Sequence, residues 1–266
     1  SVWVAPAQAA DKKAQQEMQY DVYAGGVHAL QANLTLDLVK KDRYSISLIA
    51  KTYGLLGKLA PWQGVFISEG WQGQKNNKPE LHKAVTTWRD EEEVKKYHYK
   101  KDGSFAGYSL KDDSNDGSLR KVDDKLTQGT IDLLTATLNT LQLVGAEDKC
   151  EGSNEIFDGK RRFKLVFKEK QKVELTSSRY NLYAGSAVEC SVEVQPVAGK
   201  WREKPRGWMS IQEQGRERGT MPTVWFAQIT EDQPAIPVKV RVKTAYGTLF
   251  MHLTQYQGND QKIALK

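Results

Sequence analysis

Over most of the chain, hydrophobic and polar positions alternate with a period of two. Leu34, Leu36 and Leu38 are separated by Thr35 and Asp37, and Tyr44, Ile46, Leu48 and Ala50 follow the same rhythm. This is the mark of strands that bury one face. The alternation returns at Phe163/Leu165/Phe167, Val188/Cys190/Val192/Val194, Trp225/Ala227/Ile229, Val238/Val240/Val242 and Leu249/Met251/Leu253. Turn chemistry punctuates it at Gly25-Gly26, Asp102-Gly103, Asp116-Gly117 and Asp158-Gly159. The pattern predicts about a dozen strands, nearly all antiparallel to their neighbours. So many twisted strands cannot lie flat, so the sheet is expected to curl or split.

One segment changes period. Ile131, Leu134, Leu138 and Leu141 recur at helical spacing, and Leu133, Thr137 and Val144 widen the stripe. With Thr130 to cap and Gly145 to end the run, an amphipathic helix is predicted at about 131–144. The stripe carries no Lys or Arg, so the helix is expected to pack inward rather than lie on a membrane.

The chain has 266 residues, with 39 Lys and Arg against 33 Asp and Glu and hence a net charge of +6. No apolar run reaches the roughly 20 residues of a membrane helix, so the chain is not expected to span a bilayer that way. Residues 1–9 carry no charge, and Ala7-Gln8-Ala9 has the form of a signal-peptidase site. They read as the remnant of a signal peptide cleaved before Ala10, with 10–18 as a polar lead-in and 19–260 as a single β-rich domain. Export to the periplasm follows from that reading. Cys150 and Cys190, the only cysteines, are then expected to form a disulfide between the helix exit and a strand of the second half.

Several short motifs resemble a known family. They are Tyr20-Asp-Val-Tyr23-Ala-Gly25-Gly26, Leu34-Thr-Leu-Asp37-Leu, Gly54-Leu-Leu-Gly57 and Ser68-Glu69-Gly70 in the first half. Thr130-Ile-Asp132-Leu-Leu, Phe157-Asp158-Gly159-Lys-Arg161-Arg162-Phe163 and Thr244-Ala-Tyr246-Gly247 follow. Together, across residues 20 to 257, they resemble the bacterial exported-protein family called domain of unknown function 3108. That resemblance implies an envelope protein whose fold is mainly β. A long curved antiparallel sheet, spiral or half-open and barrel-like, would wrap around the amphipathic helix. It supplies no catalytic residues.

Enzyme signatures are missing from the chain. The four histidines, His28, His82, His98 and His252, form no zinc spacing. No nucleophile elbow and no phosphate-cradling glycine loop occurs. Asp112 to Asp123 approximates a calcium loop by spacing, but Arg120 and the final Asp fit it poorly, and it reads as an acidic turn. No catalytic residue, cofactor or metal is therefore assigned, and an uncatalogued envelope hydrolase stays as a rival reading.

Two features suit binding. Arg162, Lys164, Lys168, Lys170 and Lys172 share one parity while Phe163, Leu165 and Phe167 share the other. This predicts a basic stripe on one face, suited to anionic headgroups or glycans, or to protecting a sheet edge. In an exported protein it does not point to nucleic acid. Parity also assigns Phe66, Trp88, Tyr97 and Trp225 to an apolar groove on the concave face. The expected function is a non-enzymatic periplasmic protein that supports the cell envelope by binding lipid or acylated cargo. The alternative is a scaffold for an envelope protein or peptidoglycan partner.

Overall fold

The computed structural model describes residues 15–258 and 261–265. The signal-peptide expectation for 1–9 lies outside them. The chain begins with strands β1 (Gln16–Ala24), β2 (Val27–Asp37) and β3 (Arg43–Thr52), a short helix α1 (Gly54–Leu59), and strands β4 (Trp62–Trp71), β5 (Lys78–Trp88), β6 (Glu91–Tyr99) and β7 (Phe105–Lys111). Helices α2 (Asp124–Thr127) and α3 (Leu133–Glu147) follow, then strands β8 (Glu151–Phe157), β9 (Arg161–Leu175) and β10 (Gly185–Gly199). Helix α4 (Trp208–Arg218) precedes β11 (Thr223–Ala227), β12 (Ile236–Thr244), β13 (Gly247–Gly258) and β14 (Gln261–Ala264).

Among the described residues all the strands belong to one antiparallel sheet of 14, in the order β7-β6-β5-β4-β3-β2-β1-β13-β12-β11-β10-β9-β8, with β14 added to β13. The curved mainly-β sheet expected from the sequence is the fold observed. Its outer strands β7 and β8 do not pair with each other. The connection 112–132 covers both edges, bridging Tyr108 to Arg120, Lys111 to Asp116 and Ile131 to Ile156. Aromatic side chains seal the seam: Phe157 on β8 lies 5.5 Å from Phe105 and 6.1 Å from Tyr97 and Tyr108 across it. The sheet is thus a half-open barrel, and its exposed edges are blunted as edge strands must be.

β1 starts at Gln16, inside the segment assigned as polar lead-in, and Gln16 and Met18 are buried. The Gln16 amide donates to the Pro234 carbonyl at 3.2 Å and its oxygen accepts from the Tyr256 hydroxyl at 2.8 Å. A polar side chain so satisfied can occupy an inward position, which is why the pattern there did not read as a strand.

The predicted helix is α3. Its stripe Leu134, Ala136, Leu138, Leu141 and Val144 is buried against the inner face of the sheet. The cap is Asp132 rather than Thr130: its carboxylate accepts from the Thr135 amide at 2.9 Å. Nor does Gly145 end the helix, which runs on to an αL Asp148. A Cβ at Gly145 would sit 2.8 Å from the Gln233 carbonyl oxygen and 2.9 Å from the Ala235 nitrogen, so this glycine permits close packing.

Strand direction gives the barrel two rims. At one, here the upper, lie the Gly25-Gly26 turn, α1, the Asp158–Lys160 turn, segment 200–218 and the Ala245-Tyr246 turn. The C-terminal half of α3 fills the lower part of the interior. Above the first turn of α3, on the side of β9 to β13, the interior is not filled.

Candidate functional site

That unfilled space is a cavity of about 660 Å³, within the roughly 300–1,000 Å³ of small-molecule sites. Its wall is the inner face of five consecutive strands, on which side chains meet in register. Phe167 stands opposite Val192, Leu165 opposite Val194, Val224 opposite Val240, and Val240 opposite Met251. Buried Phe226 and Phe167 lie deepest, while Leu133 and Thr137 of α3 form the inner side. The lining is carbon almost throughout. Polar groups gather at the mouth, on the upper rim, where Asp158, Arg161, Trp201, Arg206 and Trp208 stand.

The roof is held in place by β10. β11 covers that strand only as far as Ser191, leaving main-chain groups beyond it without a strand neighbour. Buried Gln212 of α4 replaces the missing strand: its amide donates to the Val194 carbonyl at 2.9 Å and its oxygen accepts from the Val194 amide at 2.6 Å. Arg216 reinforces the joint with an ion pair to Glu193 at 2.6 Å. At the mouth, Arg161 is fixed by Asp158 at 2.9 Å and stacks 4.5 Å above the Trp201 ring. Arg206 makes no ion pair among the described residues and is exposed.

None of the four aromatics assigned to the groove lines this cavity. Phe66 packs inward on the first half of the sheet, against the core. Trp88 is 47% exposed at the upper rim, beside Trp62 and the carboxylates of Glu91 to Glu93. Tyr97 belongs to the seam, donating to the Asp158 carbonyl at 3.0 Å. Trp225 lies on the opposite face of β11 from Val224 and Phe226, which point in, and is itself buried. Lys239 and Arg241 lie over its ring at 5.0 and 5.3 Å. Parity says which residues of a strand share a face, but not which face is inside. The alternation showed Phe163, Leu165 and Phe167, and likewise Val192 and Val194, as buried faces of two strands, but it does not separate the wall of a cavity from packed core.

The basic stripe is divided by a bulge. Between Gln171 and Glu169 the register with β10 shifts, so Lys170 has no partner and Lys172 stands opposite inward-facing Val188. Lys172 reaches Asp148 at the end of α3, 2.5 Å away, instead of joining the outer face. Arg162 is paired with Glu155, and Lys168 lies 3.8 Å from Glu193. Lys164 stays on the outer face opposite Gln195. Since β8 ends opposite Lys168, Lys170 and Lys172 occupy a stretch of β9 with one bare edge, where charge discourages further strand pairing.

Cys150 and Cys190 are disulfide-bonded, with Cα atoms 6.2 Å apart, joining the exit of α3 to β10. Asp112 and Asp116 accept from backbone amides of their own loop, in turns closed by Ser114, Asn115 and Ser118.

The sequence did not disclose a buried polar hub of Ser68, His82 and Asp132. Ser68 Oγ lies 2.7 Å from His82 Nδ1 and 2.5 Å from Asp132 Oδ1. The residue types are those of a hydrolase triad, but the order is wrong. There the histidine stands between serine and carboxylate and takes the serine proton. Here Ser68 donates directly to Asp132, so His82 stands behind it and donates from Nδ1. Tyr44 continues the chain from the other side, through Thr135 to Asp132 at 2.6 Å per step. Burial depresses the His82 pKa, an effect Asp132 only partly opposes. Ser68 is wholly buried. The hub anchors the helix cap to β3, β4 and β5.

Fold and cavity together define a half-open β-barrel plugged at one end by a helix and hollow at the other. The family model described as "Protein of unknown function (DUF3108)" matches residues 19–254, and the chain belongs to that family. A similar solved structure is the crystal structure of a β-barrel-like protein of domain of unknown function DUF1849 from Brucella abortus. It is 8% identical, with a TM-score of 0.51 over 94% of this chain and 100% of that one. At that identity the likeness concerns the fold alone. No curated protein matches the chain.

Proposed function

We propose that the protein is a non-enzymatic envelope protein that binds an acyl chain or a similar lipid-like ligand in the cavity between α3, α4 and β9 to β13. The observation that carries this reading is the cavity's composition: a carbon-lined interior with its cations at the mouth. An amphiphile with an anionic head matches that division. Its tail would lie against Phe167, Val192 and Phe226, and its head against Arg206. The disulfide favours an oxidising compartment, in keeping with export.

The energetics allow useful affinity. Burying about 16 methylenes returns roughly 13 kcal/mol at about 0.8 kcal/mol each. An association cost of about 5 kcal/mol leaves roughly −8 kcal/mol, a micromolar Kd. A fluorescent fatty acid should therefore bind saturably, and unlabelled fatty acid should displace it. Val194→Trp places an indole in the cavity and should weaken binding at least about tenfold, the cost of excluding two or more methylenes. Unsaturable probe binding, or unchanged affinity in a folded Val194→Trp protein, would refute the proposal.

A second reading, a scaffold for a protein or peptidoglycan partner, draws on the outer face. There Lys239 lies over both Trp225 and Phe250, and Phe250 stacks on His252 at 5.6 Å. Trp225 is buried beneath Lys239 and Arg241, so half-buried Phe250 and His252 are the rings that would meet a sugar face. Retained binding of peptidoglycan sacculi by the Val194→Trp protein would favour it.

A further inference from the structure

We infer that the upper rim is a docking surface for an anionic lipid bilayer, with the cavity mouth turned toward the headgroups. The inference rests on the acyl-binding reading and adds where the ligand comes from.

Exposed apolar side chains are concentrated on that rim. Leu55 and Leu59 of α1 are 72% and 67% exposed, Val27 65% and Tyr246 99%. Trp208, at the start of α4, stands partly exposed at the cavity mouth. These positions come from α1, the β1–β2 turn, the β12–β13 turn and α4, which follow one another around the barrel in strand order. They therefore form one arc rather than scattered tips. α1 is informative by itself: its sequence is Gly-Leu-Leu-Gly-Lys-Leu, and none of its residues is buried. Three leucines held on a helical turn with nothing above them serve no purpose in the core. Shallow insertion between headgroups would cover them, as for interfacial apolar anchors flanked by Lys.

Charge selects the bilayer over an apolar protein face. Lys58 and Lys243 flank the apolar tips, and Lys200, Arg202, Lys204 and Arg206 lie along the mouth with Glu203 as the only acid in 200–206. Of the rim's acidic groups, Glu91 to Glu93 and Asp112 to Asp116 occupy the β5–β7 sector, outside the arc. Within it Asp158 is paired with Arg161, and Glu203, Glu213 and Glu217 of segment 200–218 are outnumbered by Lys200, Arg202, Lys204, Arg206, Arg216 and Arg218. Apolar tips with cations around them match anionic lipid. Because the cavity opens within the arc, an acyl chain leaving the bilayer would enter it without crossing bulk water.

Flotation with phosphatidylcholine vesicles, with and without phosphatidylglycerol, tests the inference on the full-length protein. Wild type should float with the phosphatidylglycerol vesicles and release at high salt. Leu55→Ser/Leu59→Ser/Tyr246→Ser and Lys200→Glu/Arg202→Glu/Lys204→Glu should each lower vesicle affinity by roughly tenfold or more. All of these residues lie outside the cavity lining, so both variants should keep wild-type affinity for the soluble fatty-acid probe. Absence of flotation by wild type, or flotation of both variants at wild-type level, would overturn the docking surface. Self-association of wild type that the leucine and tyrosine changes abolish would overturn it too, giving the rim to a second copy. Probe binding without vesicle binding refutes docking alone; loss of saturable probe binding refutes the acyl-cavity reading beneath it.

Discussion

Replacing Asp132 with alanine should be among the most damaging single changes to this fold. The carboxylate is 2% exposed and accepts from the Thr135 amide at 2.9 Å, Thr135 Oγ1 at 2.6 Å and Ser68 Oγ at 2.5 Å. Removing the cap alone costs about 1 kcal/mol. Ser68 and Thr135 would each lose a charged acceptor in the interior, at about 1–3 kcal/mol apiece. Relief of the carboxylate's own desolvation returns part of this, so a net loss of about 3–5 kcal/mol is expected. Guanidinium denaturation of Asp132→Ala should show it as a lower midpoint at unchanged slope. Asp132→Asn keeps the volume and one acceptor and should lose less, about 1–2 kcal/mol. Because Leu133 borders the cavity, fraying of the first turn of α3 should also weaken the fatty-acid probe. A loss below about 1 kcal/mol for Asp132→Ala would refute the argument, since the hub would then return no more than it costs to bury.

Two further outcomes follow from the same core. Replacing Cys150 and Cys190 with alanine opens a loop with a sequence separation of 40, and the chain-entropy model gives a loss of about 4 kcal/mol; denaturation identical to wild type would show that the bond does not constrain the unfolded chain. Stability should also fall as pH drops below about 6.5, because burial lowers the His82 pKa in the folded protein and the unfolded chain takes up the proton first. The loss is present below the unfolded pKa and grows until the folded pKa is reached. His82→Asn should flatten this dependence by up to about 1.4 kcal/mol per pH unit, and an unchanged pH profile of its denaturation midpoint would contradict the assignment.

How far each element could be read depended on what signals its burial. The strands were legible because one face of the sheet is buried and the other wet, which imposes a period of two. α3 was legible because its buried stripe is leucine. α4 was not: only Gln212 and Gly215 are buried in it, one by hydrogen bonding to a strand edge and the other by close approach to Thr220. Neither contact leaves an apolar pattern. β1 began early for a similar reason, since Gln16 is buried by its hydrogen bonds. The bulge at Lys170 redirects one end of the basic stripe through a register shift that no composition reveals. Of the groove aromatics, Phe66 and Tyr97 face the interior but at the core and the seam rather than at the cavity, whereas on β11 Val224 and Phe226 hold the inward face and leave Trp225 on the other one.

The cavity exists because of where the chain enters the barrel. After covering the edge of β7, it crosses the seam and pairs Ile131 with Ile156 on β8, then turns into α3 at Asp132. The hub fixes that turning point against β4 and β5, and the helix runs from there toward the lower rim. Nothing in the described chain runs back from Leu133 toward the upper rim inside the barrel. A fold selected for stability alone would fill this space, since apolar surface left unpacked forfeits its contacts. Instead Phe163, Leu165, Val192, Val194 and Val224 stay apolar around it, and α4 is tied over one side through Gln212. A wall kept apolar, a roof kept attached and a mouth kept cationic are three separate features of the sequence, and they are the three on which the proposed acyl ligand with an anionic head depends.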